Sequence, residues 1–190
     1  MTIILAMKEK DGITLVADTQ LSWPNAQASL AANLKMFFGD DYAIGFAGCM
    51  DDVGRAVAIL KQHMTIGGDV QLWYTDVVGE LKELIDHDKI PAMVIVHGDS
   101  VRDTNGGVYQ ESPLGFSMVG SGLSKVLCGT ALGCSALTTA RLVCALTAEC
   151  GGTLYTVTVP YGYAGSYRDL VAVPNVSGLQ PEDMVVNNNK

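Results

Sequence analysis

Apolar and polar positions follow two different periods along this chain, and the changes of period mark its elements. The opening stretch, MTIILAMKEKDGITLVADTQ, has apolar Ile3, Ile4, Leu5 and Met7, then a charged segment ending in Asp11-Gly12, then a more continuous apolar run over 13–17. β-Formers on both sides of an Asp-Gly pair predict a hairpin. TQLSWPNAQASLAAN is polar, small and interrupted by Pro24, which predicts a long loop or ragged strand. LKMFF and DYAIGFAG predict a second hairpin around residues 39–41. In it, Tyr42, Ile44 and Phe46 alternate with small residues, as in a strand packed closely on one side.

The period then lengthens. In MDDVGRAVAILKQHM, Val53, Ala56, Val57 and Leu60 fall at helical spacing, with Asp51 and Asp52 at the end where negative charge is favourable. Beyond Gly67-Gly68, DVQLWYTDVVGELKELIDH places Leu72, Val77, Leu81, Leu84 and Ile85 on a second helix capped by Asp69. PAMVIVHG reads as a buried strand, VRDTNGGVYQE as two short polar strands, and FSMVGSG as a strand ending in glycines. SGLSKVLCGTAL and CSALTTARLVCALTAEC predict two more helices separated near Gly133, and TLYTVTVP a closing strand. The polar segment after Pro174 is expected to be a flexible tail from about residue 175.

Strands, two helices, strands, two helices and a strand suit two antiparallel sheets face to face, each with a helical layer outside it. The expectation is one α+β domain over 1–190, a four-layer αββα sandwich. The alternating βαβ order of a dinucleotide-binding fold is absent, and the GSG at 120–122 lacks the third glycine of that fingerprint.

Composition narrows the function classes. Apolar residues make up 48% and charged residues 17%, which suits a globular chain. The net charge is −8 and the Lys and Arg residues are scattered, so no basic patch is present to meet nucleic-acid phosphates. No apolar run reaches the roughly 20 residues that span a bilayer, and no secretory leader pattern opens the chain, so a cytoplasmic protein without membrane contact is expected. Cys49, Cys128, Cys134, Cys144 and Cys150 are odd in number and form no C-x-x-C, which argues for buried thiols over disulfides or zinc. His63, His87 and His97 lack metal-ligand spacing.

Two residues exceed what a hairpin needs. Thr2 stands directly behind Met1, and Asp18 ends the second apolar run. With Met1 removed, Thr2 would carry nucleophile and base in one residue: the hydroxyl attacks and the α-amine takes its proton. An α-amine has a pKa of about 8, against about 10.4 for lysine, which suits a base at ambient pH. The β-methyl also restricts χ1 and steadies the hydroxyl.

Four pieces, TIILAMKEKDGITLVADTQ, NLKMFFGDDYAIGFAG, FSMVGSG and ECGGTLYT, lie between residue 2 and about residue 156. Together they resemble the proteasome β-type family of N-terminal threonine (Ntn) hydrolases, and within it the bacterial heat-shock-locus peptidase (HslV type). The family places an acidic residue sixteen positions after its threonine and a glycine forty-six after it, at a strand-to-helix bend; Thr2, Asp18 and Gly48 have those separations. Lys35 stands one position beyond the family's lysine, Ile3 replaces a second threonine, and ADT replaces that type's GDG.

The resemblance implies an Ntn-hydrolase fold and a threonine peptidase that cleaves unfolded proteins or peptides. It assigns Thr2 as nucleophile, Lys35 as the group tuning its amine, and Asp18 as the residue orienting Lys35. Gly48 would donate its N–H to the oxyanion, and Ser121 would support the amine or a water. Cys150, Thr153 and Thr156, at three-residue spacing, match a stretch whose carbonyls hold a monovalent cation such as Na+; no other cofactor is implied. The family seals its site inside homo-oligomeric rings, often fed by a separate ATP-dependent unfoldase, and no GxxxxGK[ST] occurs here to bind ATP. The alternatives are a catalytically inactive structural subunit of the same fold and a self-contained amidase acting on a small substrate.

Overall fold

The computed structural model describes residues 2–23, 26–29, 35–39, 41–63, 75, 79, 91–104, 110–120, 122–147, 150–162 and 171–174. The first apolar runs form β1 (Ile3–Lys8) and β2 (Gly12–Asp18), joined by a tight turn in which the Glu9 N–H donates to the Gly12 carbonyl at 2.8 Å. β3 (Gln20–Trp23) pairs with β4 (Ala26–Ser29) as a separate two-stranded sheet. Within the segment read as a loop or ragged strand, residues 20–23 and 26–29 are therefore paired antiparallel strands. Their small and polar residues gave no alternation, and the cross-strand pairing that joins them is not visible in side-chain period.

β5 (Met36–Phe38) and β6 (Tyr42–Ala47) form the second expected hairpin, followed by α1 (Met50–His63) with Asp51 and Asp52 in its first turn. The helix expected near 69–87 lies outside the described residues except at Thr75 and Gly79, which are helical. β7 (Ala92–His97), β8 (Ser100–Asp103), β9 (Gln110–Glu111) and β10 (Phe116–Gly120) precede α2 (Leu123–Ala131) and α3 (Ala136–Leu146). β11 (Thr153–Pro160) then pairs with β12 (Val171–Pro174), a strand too short to announce itself in the sequence. The expected flexible tail from about 175 falls outside the described residues.

Both large sheets are antiparallel, ordered β10-β1-β2-β11-β12 and β5-β6-β7-β8-β9. Three apolar clusters define the layers. Ile4, Ala6, Leu15 and Ala17 of the first sheet pack against Ala43, Val94, Val96 and Val101 of the second. On the first sheet's other face, Ile3, Leu5, Val16 and Met118 meet Val126, Ala140 and Val143 of α2 and α3. On the second sheet's outer face, Ile44, Phe46, Met93 and Ile95 meet Val53, Ala56, Ile59 and Leu60 of α1. Helix, sheet, sheet and helix pair are the four layers of an α+β αββα sandwich. β1 and β2 read as continuous apolar runs because both of their faces are covered.

The two sheets meet closely at one place that bears on the site. A Cβ built on Gly45 of β6 would lie 2.2 Å from Ile4 Cγ2 of β1. Glycine there lets β6 cross directly over the start of β1, two residues beyond Thr2. Charge fixes the opposite end of β1: Glu9 Oε1 accepts the Ala136 N–H at 2.8 Å, while Oε2 accepts the Thr14 hydroxyl at 2.6 Å. With Ser135 as N-cap, α3 thus starts under two acceptors.

Among the described residues, no helix is long and apolar enough to cross a membrane, and no cluster of three His, Cys, Asp or Glu side chains could hold a metal. The expectation of buried thiols is met at Cys144 and Cys150 but corrected at Cys49 and Cys128, which are exposed, and at Cys134, which is half-buried. Cys49 stands where the chain turns from β6 into α1, and Cys128 lies on the outer side of α2, so neither reaches an apolar cluster.

Candidate active site

Register brings Asp18 to Thr2. β1 and β2 pair with Ile4 opposite Ala17, so the last residue of β2 lies beside the first residues of the chain. Asp18 Oδ1 accepts the Ile3 N–H at 3.1 Å, and Oδ2 accepts the Gly151 N–H at 3.0 Å from the entry to β11. The carboxylate is fully buried and joins three parts of one sheet.

Lys35 enters from the other sheet, immediately before β5. Its own carbonyl accepts the Phe46 N–H of β6 at 2.9 Å, which fixes its backbone. Its side chain is 2% exposed. The ammonium donates to Asp18 Oδ1 at 2.9 Å, to the Gln20 carbonyl at 2.5 Å and to Thr2 Oγ. An ammonium has three N–H donors, and each has an oxygen here. A buried charge is tolerable only when paired and fully hydrogen-bonded, and this one is both. Thr2, 8% exposed, therefore holds its hydroxyl against a cation whose counterion lies one bond away. That environment favours negative charge on the hydroxyl oxygen.

Gly48 follows β6 and precedes α1. Its φ of +154° favours glycine, and a Cβ there would lie 3.3 Å from Pro91 Cα. It is exposed, as is Cys49 beside it. Gly48 thus occupies the strand-to-helix bend expected of it, two residues beyond the Phe46 N–H that holds Lys35. Ser121 lies outside the described residues. The expected carbonyl cluster does not form. β11 is extended from Thr153 to Pro160, so the carbonyls of Thr153 and Thr156 point to opposite edges of the strand, roughly 10 Å apart along it. The Thr153 carbonyl already accepts the Thr19 N–H at 3.0 Å. These three residues do not fit one cation.

Three partners escaped the sequence: the Gln20 carbonyl and the Ile3 and Gly151 N–H groups. All are backbone atoms, which every residue type carries. Cys144 on α3 senses the site from below. Burial pushes its thiol well above 9.0, the Asp18 carboxylate and Cys150 push it further, and Lys35 opposes them.

Eukaryotic HslV from Trypanosoma brucei superposes with a TM-score of 0.67 at 16% identity, over 81% of this chain and 97% of that one. The Anbu (Gly-1) mutant from Hyphomicrobium sp. strain MC1 gives 0.67 at 12% identity, over 90% and 88%. This chain has the fold of HslV and Anbu. No family model and no curated protein matches its sequence. The likeness is one of architecture.

Proposed function

We propose that the chain is an N-terminal threonine peptidase whose nucleophile is Thr2 after removal of Met1. One observation carries the reading: Lys35 Nζ donates to Thr2 Oγ while buried Asp18 holds it at 2.9 Å. A buried lysine bridging a carboxylate to a threonine hydroxyl costs desolvation that an ordinary core avoids. Its return is a hydroxyl poised to lose a proton. The freed Thr2 α-amine would accept that proton, Oγ would attack a peptide carbonyl, and the amine half of the substrate would leave with the proton. Water would then hydrolyse the ester on Thr2. The N–H of Gly48 is our candidate oxyanion donor.

Assembly into closed rings, with unfolded chains delivered by a separate ATP-dependent unfoldase, completes the proposal. The outer helical layer supports a further copy packing there. Leu123, Leu127, Leu132 and Leu146 are exposed, and residues 123–147 carry only Lys125 and Arg141 as charges in a chain of net charge −8. Apolar patches of a few hundred Å² mark interaction surfaces.

The test combines intact mass with turnover. Loss of Met1 and hydrolysis of fluorogenic peptides by wild type are expected, with Thr2→Ala and Lys35→Ala inactive. Retention of Met1 in purified protein with no turnover by wild type would leave the inactive structural subunit as the reading, and turnover by Thr2→Ala equal to wild type would refute Thr2 as the nucleophile. Native mass decides the ring separately.

A further inference from the structure

Thr2 is held from three sides: its hydroxyl meets Lys35, and the N–H that follows it meets Asp18. The third side is β10. Its last residue, Gly120, pairs with Ile3 across the β1–β10 ladder. A Cβ built on Gly120 would lie 1.9 Å from the Thr2 carbonyl oxygen and 2.8 Å from its carbonyl carbon. Both atoms are backbone, so no rotamer change relieves the contact. Gly120 also has φ +102°, where L side chains are disfavoured. Its position is exposed, so burial does not demand a small residue there. The constraint comes from Thr2.

We infer that Gly120 is a positioning residue: its missing side chain lets β10 close on the Thr2 backbone and seats the hydroxyl against Lys35. The inference deepens the proposed peptidase reading and rests on it for its kinetic consequence. Any side chain at 120 forces β10 and the Thr2 carbonyl apart by about 1 Å, and a displacement of that size costs roughly 100-fold when it misaligns a reacting group.

The test compares Gly120→Ala with Gly133→Ala. Gly133 also has a left-handed φ, +71°, but a Cβ there meets nothing within 4 Å. Both variants therefore carry backbone strain, and only one touches Thr2. Three readouts are taken: the rate of covalent labelling by a saturating peptide vinyl sulfone, kcat and KM on a fluorogenic peptide, and the NMR shifts of Thr2. Gly120→Ala is expected to lose about 100-fold in labelling rate and in kcat, with KM within about threefold and Thr2 shifts displaced. Gly133→Ala is expected to keep wild-type rates and shifts. Wild-type labelling and unmoved Thr2 shifts in Gly120→Ala would overturn the inference. If wild type itself does not label, the peptidase reading fails and the seat is judged by the Thr2 shifts alone. If Gly120→Ala does not fold, the same alanine is placed in a chain released from a cleavable fusion to begin at Ile3. Without the Thr2 carbonyl it must be tolerated as well as Gly133→Ala, and intolerance there overturns the inference.

Discussion

Replacing Asp18 with asparagine keeps the side chain's shape and removes its charge. In the native site, Oδ1 accepts from Ile3 and Lys35 while Oδ2 accepts from Gly151. An amide keeps one acceptor, which the Ile3 and Lys35 donors will claim. Its NH2 then faces the Gly151 N–H, donor against donor. The larger loss is electrostatic: the Lys35 ammonium, 2% exposed, keeps only neutral acceptors, the new amide oxygen, the Gln20 carbonyl and the Thr2 hydroxyl. Removing one partner of a buried pair costs about 3–5 kcal/mol, and an orphaned buried N–H about 1–3 kcal/mol. The two overlap, so about 4 kcal/mol is expected for Asp18→Asn. Urea unfolding at pH 7 measures it; with a slope near 2 kcal/mol/M, the midpoint should fall by about 2 M. The double variant Asp18→Asn/Lys35→Met deletes the stranded charge and should recover at least about 1.5 kcal/mol over Asp18→Asn alone. A midpoint shift under about 0.5 M for Asp18→Asn, or a double variant no more stable than the single, would show that Lys35 does not depend on this carboxylate.

Three further outcomes follow from other parts of the fold. Glu9→Ala removes the acceptor of the Ala136 N–H and of the Thr14 hydroxyl, and should cost about 1–2 kcal/mol in the same unfolding assay, largely recovered by Glu9→Gln. Native-state alkylation at pH 8 followed by peptide mapping should modify exposed Cys49 and Cys128 and spare Cys144, whose raised pKa keeps it a neutral thiol. That same raised pKa makes stability fall in alkali. The contribution is fully present below pH 9.0, where the unfolded chain's thiol is neutral too, and is lost as pH rises further, by about 1.4 kcal/mol per unit for Cys144. Tyr161, raised by burial and by Asp99 and then Glu9, acts in the same direction above 10.0. Urea midpoints at pH 8 and pH 10 check this, and Cys144→Ala should flatten the difference.

The architecture was legible because periodicity reports burial. Ile3, Leu5 and Met7 alternate with Ile4 and Ala6 across a strand covered on both faces, and Val53, Ala56 and Leu60 line one side of α1. The β3–β4 pair and β12 were missed because small or few residues carry no period, whereas backbone pairing needs none. The carbonyl cluster failed for a related reason. Three-residue spacing brings atoms together in a turn or helix, but Thr153 and Thr156 lie in a strand. Resemblance singled out Thr2, Asp18 and Lys35 by spacing, but spacing could not give contact between residues 33 positions apart.

Taken alone, the sequence determined the alternation of strand and helix, the apolar faces, and a threonine, an aspartate and a lysine placed where strands begin and end. Only the tertiary structure decided that those three side chains share one buried network, with the Gln20 carbonyl and the Gly151 N–H completing it and Gly120 closing on Thr2. The reason is physical: side-chain pattern encodes which surfaces leave water, while hydrogen bonds to backbone atoms and the close approach of two strands depend on register, which is fixed only when the sheets pack.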